Sequence, residues 1–267
     1  MLICQVTDLH LCPPGRLAYG AIDTNAMTER ALAAVAALDP APQALLVTGD
    51  LAEGGRESEY SLFLTLIRRH LNVPVYVIPG NHDSREPLRR VLGGLPGLGD
   101  RAGFIQYVVD DLPVRLVMLD TLTPGHNHGE LCAERLDFLE RSLAAAPGRP
   151  TMIAMHHPPF DSGIGFMDRD NLRDAKAFTA IVSRHPQVER IICGHVHRSV
   201  TAMVAKVPVL IAPSACHHMA LALAPDAPGA FVLDPPAFSV HCWAEASGIV
   251  SHIAYVGPCP GPFPFTR

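Results

Sequence analysis

Seven residues of metal-ligand type stand directly behind five short apolar runs. Asp8 and His10 follow the run at 2–6, and Asp50 follows 45–47 through Thr48-Gly49. Asn81 follows 75–78, His156 follows 152–155, and His195 and His197 follow 191–193. Two carboxylates, one amide and four imidazoles, with no thiolate, form a mixed oxygen and nitrogen set that suits Mn, Fe, Zn or Co. Seven donors are too many for one four- to six-coordinate ion and about right for two. Two metals about 3.5–4 Å apart need a bridging carboxylate and commonly share a water or hydroxide. Asp50, behind the central-looking second run, is the expected bridge. Unrelated surface or core polar residues are the competing explanation, and five such junctions in one chain weigh against it.

The elements that must position these residues follow from periodicity and breakers. Strands are expected at 2–6, 44–48, 73–79, 151–155 and 188–193, with helices at 25–38, 58–70, 133–145 and 173–185. Thr24 is the expected N-cap of the first helix, and Pro40 and Pro42 stop it. Residues 104–110 and 114–120 read as an antiparallel hairpin, and 199–205 with 207–212 as another. Strand, loop, helix, strand in repetition indicates right-handed crossovers and a parallel sheet, whose carboxyl ends form one rim. Within Asp8-Leu9-His10 and His195-Val196-His197, ligand types two apart point to one side of an extended chain while Leu9 and Val196 face the core. From residue 213 on, proline and glycine rise. A soft boundary is expected near 198: residues 1–197 carry the ligand-type set as a core, and 198–267 either complete the sheet or form a cap, the part to which the resemblance named below adds oligomer contacts.

Bulk properties bound the class. Hydrophobic residues make up 48% of 267 and charged ones 18%, a globular balance. The formal net charge of −5 offers no basic footprint for nucleic acid or an anionic membrane, which disfavours a nuclease. No apolar run reaches membrane-spanning length and no signal peptide is apparent, so a cytoplasmic protein is expected. The seven cysteines are odd in number and lack CxxC spacing, as for reduced thiols, with Cys259 the one to test for intermolecular pairing.

In this order DxH, GD, GNHD, H and GHxH resemble the calcineurin-like metallophosphoesterase superfamily. The stretches 19–26, 78–83, 155–159 and 193–197 narrow the resemblance to its glycerophosphodiesterase and class III cyclic nucleotide phosphodiesterase branch. It runs from residue 2 to about 218. The implied fold is α/β, a two-layer sandwich of facing mixed sheets flanked by helices. The resemblance implies one metal site of Asp8, His10, Asp50 and His197, and a second of Asp50, Asn81, His156 and His195. It also implies in-line attack of a metal-bound hydroxide on a small phosphodiester: a glycerophosphodiester, a cyclic nucleotide or an aryl diester. His82 is then a general acid or electrostatic stabiliser oriented by Asp83, and Asn81, His82, His195 and His217 face the substrate. A homo-oligomer, dimer or higher, is implied as well.

Other readings of the same residues stay open. A phosphomonoesterase or nucleotide pyrophosphatase uses the same site, and a metal-free scaffold uses the same fold. His157 neighbours a ligand but points away from it in an extended chain. His126 and His128 have metal-like spacing on a loop with no strand behind it, and are expected in solvent. Glu53 and Glu57 could reach the rim, although the resemblance gives Asp50 alone as the ligand there, and Arg16 and Arg56 are candidate phosphate partners, each more often plain surface charge.

Overall fold

The first strand, β1 (Leu2–Val6), is almost wholly buried, as are β2 (Ala44–Thr48) and β3 (Val75–Ile78). Unbroken apolar runs of this kind belong in parallel sheets covered on both faces. The structure is a computed structural model and describes residues 1–99, 102–257, 260, 261 and 263–265; Cys259 lies outside the described residues. Helix α1 (Thr24–Ala36) carries the chain from β1 to β2, and α2 (Glu57–His70) from β2 to β3, giving parallel pairings. The N-cap of α1 is Asp23, whose carboxylate accepts from Ala26 N at 3.0 Å, not Thr24. Thr24 Oγ1 instead donates to the carbonyl of His10 at 2.7 Å and ties the helix start to the first ligand pair.

A helix absent from the sequence expectation follows, α3 (Arg85–Leu92). Pro87 and four charged residues hide its periodicity, but Leu88 and Leu92, one turn apart, are buried. Strands β4 (Tyr107–Val109) and β5 (Arg115–Met118) form the expected antiparallel hairpin in shortened form. Helix α4 (Ala133–Ala144), β6 (Thr151–Ala154), α5 (Gly165–Asp168), α6 (Ala175–Val182) and β7 (Val188–Cys193) continue the alternation. Strands β8 (Val200–Val204) and β9 (Val207–Ile211) turn on Ala205 and Lys206, both at positive φ as a tight two-residue hairpin requires.

Two eight-residue strands that the proline- and glycine-rich composition had concealed, β12 (Ala237–Ala244) and β13 (Gly248–Tyr255), pair with each other. Between them and β9 lies the short pair β10 (His218–Met219) and β11 (Phe231–Val232). Strand β12 runs antiparallel to β1 with Ile3 opposite His241. The first sheet is therefore β13-β12-β1-β2-β3 and the second β4-β5-β6-β7-β9-β8. Residues beyond 198 thus finish both sheets.

The sheets face each other. On β6, Met152 and Ala154 point into the inter-sheet core with Ile3, Leu46 and Ile78, while Ile153 packs outward beneath α4 and α6 with Leu139 and Phe178. Each fully buried Leu or Ile contributes roughly 1.5–3 kcal/mol. Polar links cross this core as well. Gln5 Nε2 donates to Thr48 Oγ1 and to the Cys193 carbonyl, both at 2.9 Å, and its Oε1 lies 3.1 Å from His241 Nε2. Gln5 thereby ties the ends of β1, β2 and β7, three of the strands that present ligands. Among the described residues no helix is long and apolar enough to cross a membrane.

Candidate metal centre

All five junctions end at one rim, where the carboxyl ends of β1, β2 and β3 meet those of β6 and β7. The backbone there is not extended, as the spacing had suggested. Asp8, His10, Asp50, His195 and His197 have φ of 54°, 46°, 49°, 72° and 58°. Left-handed non-glycine residues cost on the order of 1–3 kcal/mol each, and Asp and His are among the types that tolerate it best. Main-chain bonds hold the turns in place: Asp8 N donates to Gly49 O at 3.1 Å, and Leu9 N and His10 N donate to Asp50 O at 2.9 and 3.0 Å. The alternation survives by this other route, since Leu9 and Val196 are buried in the core and their neighbours face the rim. Close approach demands glycine beside the ligands. A Cβ on Gly80 would stand 2.2 Å from Asp50 Oδ1, and one on Gly49 would stand 2.3 Å from His156 Nδ1.

The side chains form two sets that share Asp50. Asp8, His10, Asp50 and His197 are all buried, with potential ligand atoms within 4.8 Å of one another. Nε2 of His10 and Nε2 of His197 face each other at 3.2 Å, and Asp8 Oδ1 lies 3.5 Å from the latter. On the other side of Asp50, its Oδ2 is 3.4 Å from His156 Nε2. Asn81 Oδ1 is 3.1 Å from that same nitrogen and 3.0 Å from His195 Nδ1. His156 Nδ1 is taken up by the Thr48 carbonyl at 2.7 Å, which leaves Nε2 for the centre.

The electrostatics are those of a site built around cations. Burial, opposed by His156 and reinforced by Asp50, pushes the Asp8 carboxyl up to about 6. Burial also acts on Asp50, but His156, His82 and His10 outweigh it and hold that carboxyl well below the usual range. His156 rises to about 9 against burial because both carboxylates face it, whereas burial and then His156 drive His195 down to about 3. Without a cation, a protonated imidazole must stand in as counter-ion for two buried carboxylates. A divalent ion replaces that proton and takes the neutral imidazole as ligand. Facing imidazole nitrogens beside buried carboxylates, with no thiolate, fit two divalent ions.

Around the ligands, several expectations change. His157 is buried among the ligands, yet Thr121 Oγ1 engages its Nδ1 at 2.8 Å and the Asn127 carbonyl its Nε2 at 2.9 Å, so both nitrogens are occupied. Asp83 does not orient His82. Its carboxylate accepts from Leu51 N, Ala52 N, Gly80 N and the Tyr60 hydroxyl, clamping the Asp50 turn to the 80–83 turn. His82 Nδ1 is held instead by the carbonyl of Glu53 at 3.1 Å, and His82 N donates to Asp50 Oδ1 at 2.8 Å. Glu53 also grips His10 Nδ1 with its side chain at 2.7 Å. Its offset of three from Asp50 was visible, but nothing local separated it from Glu57, which lies at the surface in an ion pair with Arg90. His126 is exposed, and His128 pairs with Glu130 at 3.2 Å, away from the centre.

A cavity of about 370 Å³ opens over the ligands. Asp50, Asn81, His82, His195, His197 and His217 line one side, and Tyr19, Phe166, Asp170 and Phe231 line the other. His217 packs its ring 4.6 Å from that of His197. The far side was not anticipated, because α5, β10 and β11 had no periodic signal.

The family model described as calcineurin-like phosphoesterase matches residues 1–199. Across 99% of its length the chain is 36% identical to a probable glycerophosphodiester phosphodiesterase of Arcobacter nitrofigilis, covering 97% of that protein. It is 34% identical to a probable cyclic nucleotide phosphodiesterase of Rhodopseudomonas palustris, over 97% of this chain and 94% of that one. Among solved structures, a dimetal phosphatase from Danio rerio superposes over 96% of this chain and 99% of its own, with a TM-score of 0.66 at 14% identity, a likeness of fold.

Proposed function

The chain belongs to the calcineurin-like phosphoesterase family, and on that premise we propose a metal-dependent hydrolase of small phosphodiesters, whether glycerophosphodiesters, cyclic nucleotides or aryl diesters. One observation carries the reading: two ligand sets share Asp50 beneath a single cavity. Asp8, His10, Asp50 and His197 would hold one divalent ion, and Asp50, Asn81, His156 and His195 the other, drawn from Mn, Fe, Zn or Co. When bound, such ions supply Lewis acidity toward phosphoryl oxygen and lower the pKa of water.

The remaining steps fall to the chain itself. His82 directs its Nδ1–H to the Glu53 carbonyl, which leaves Nε2 for the substrate. In its protonated form that nitrogen donates to the oxygen of the departing alcohol. Asp83 contributes indirectly, by fixing the turn that carries Asn81 and His82. His217 borders the cavity beside His197 and limits how the substrate enters.

A diester is favoured over a phosphomonoester or pyrophosphate because no lysine or arginine lines the cavity among the described residues. The second charge of a monoester has no cationic side chain to meet it. The deciding measurement compares bis(p-nitrophenyl) phosphate with p-nitrophenyl phosphate after chelation and reconstitution with each metal in turn. A tenfold preference for the monoester overturns the diester reading, and no hydrolysis with any metal overturns the catalytic one. The six described cysteines are all free, which supports a reducing, cytoplasmic setting. Exposed Leu221, Leu223 and Leu233 support a homo-oligomer.

A further inference from the structure

His157 is fully buried beside the ligands, yet it neither lines the cavity nor has a ring nitrogen to spare for a metal. Its ring meets that of His156 edge-on at 4.8 Å and lies tilted against that of His195 at 4.7 Å. The hydrogen bonds fix its tautomer. A carbonyl only accepts, so Nε2 carries the proton and donates to Asn127 O, and the Thr121 hydroxyl donates to Nδ1. Gly129 lies flat on the same ring: a Cβ there would stand 2.5 Å from its Cγ and Nδ1.

Asn127 and Gly129 belong to the loop between β5 and α4. Its base is closed by Glu130 N donating to Thr121 O at 3.0 Å, and Arg173 N donates to Gly129 O at 2.9 Å. The tip, residues 124–127, is exposed. Among the described residues, the bond from His157 is the one hydrogen bond that joins residues 123–128 to any element outside the loop. It grips the main chain, so the Asn127 side chain is left to the cavity that it lines. Position decides what this amide meets. Asp50, common to both ligand sets, is 2% exposed and lies at the floor, whereas Asn127 is exposed and stands at the mouth. Phosphorus belongs at the floor, so Asn127 meets an ester arm. His82, which serves the departing alcohol, packs its ring 4.7 Å from that of His10 in the first set. His157 places Asn127 beside His195 in the second. The arm on that side is the one that stays on phosphorus. We propose that Asn127 is a substrate-contact residue whose amide hydrogen-bonds the retained arm of the diester, and that His157 is the residue that positions it. This rests on the phosphodiesterase reading above.

The test uses two diesters that release the same p-nitrophenol, methyl p-nitrophenyl phosphate and the p-nitrophenyl ester of thymidine 5′-phosphate, so that only the retained arm differs. Both kcat and KM are measured on the metal-loaded full chain for the native protein, Asn127→Ala, His157→Phe, the double variant, Thr121→Val and Thr121→Ser. Metal content and thermal melts are read beside them. The native preference for the thymidine diester, as a ratio of kcat/KM, is expected to fall about two- to tenfold in Asn127→Ala, the worth of one neutral hydrogen bond, with the change on KM. His157→Phe, which keeps a ring against Gly129, and Thr121→Val should lower the same ratio at native metal content. Thr121→Ser keeps the hydroxyl and should return the ratio to its native value. Because His157 acts through Asn127, the double variant should be no worse than the poorer single one. No native preference, or a ratio untouched by Asn127→Ala, overturns the contact. Additive losses, or metal lost from His157→Phe or Thr121→Val, overturn the positioning role. If the native protein hydrolyses neither diester, the phosphodiesterase reading falls as well.

Discussion

Glu53 holds His10 by a 2.7 Å hydrogen bond between its Oε2 and the ligand's Nδ1. A carboxylate accepts only, so Nδ1 carries the proton and Nε2 offers its lone pair toward Asp50 and His197. Glu53 is fit for this part. Burial alone would raise its carboxyl, but the bond to His10 and the nearness of His82 bring it below the ordinary value. Carboxylate partners of metal-binding imidazoles are worth about 10- to 100-fold in metal affinity. Glu53→Ala should weaken one metal per chain by that factor and spare the other, as read by competition with a chromogenic chelator. Unchanged affinity at both sites would show that His10 needs no partner.

Asn81 and His82 are adjacent yet face different tasks. Asn81 Oδ1 sits between His156 and His195, whereas the His82 ring is tied to the Glu53 carbonyl and borders the cavity. Asn81→Ala is expected to lower metal content at one site. His82→Ala should keep both metals and lose about 10²–10³ in turnover, the usual cost of one transition-state contact. Elemental analysis beside kcat separates the two, and a metal site emptied by His82→Ala would refute the division.

The ligands were legible because each sits at a strand end, a pattern that five consecutive residues can display. What surrounds them was not. Glu53 and Glu57 look alike in sequence, and only the turn after β2 sends one to His10 and the other to the surface. Asp83 follows His82 directly, which suggested a partnership, but its oxygens turn to three main-chain N–H groups and Tyr60. The left-handed backbone at Asp8 and His195 reflects long-range bonds, from Asp8 N to Gly49 O and from His195 N to the Asp8 carboxylate, beyond the reach of any local reading. Strand β12 escaped for a related reason: its partner β1 lies more than 230 residues away in sequence.

Gly80 leaves no room for a side chain next to the shared ligand. Its Cβ would fall 2.2 Å from Asp50 Oδ1 and 2.4 Å from Asp50 N, and neither atom belongs to a flexible chain end. Overpacking of this kind costs about 1–3 kcal/mol, and here the strain falls on the residue common to both sets. Gly80→Ala should therefore fold with a lowered melting temperature and bind less than one metal per chain. Two metals retained at native affinity would mean that Asp50 is not shared.

His241 should make the chain sensitive to acid far from the metal centre. It is fully buried; its Nε2–H donates to Gln5 Oε1 at 3.1 Å, and Ser251 Oγ donates to its Nδ1 at 2.8 Å. The donor pattern follows from Gln5, whose amide nitrogen is already committed to Thr48 and Cys193. Both ring nitrogens are thus satisfied in the neutral form. Burial, helped by Arg190, lowers the pKa to about 3. In the unfolded chain an imidazole titrates near 6.5. The folded state binds the proton less readily, so the stability is complete above about pH 6.5 and drains away as pH falls toward 3, by about 1.4 kcal/mol per unit. Urea unfolding of chelated protein between pH 8 and 4.5 should show His241→Gln losing less stability on acidification than the native chain. The gap between them should hold steady above pH 7 and shrink below 6. If it keeps one value throughout, His241 is not the group that titrates.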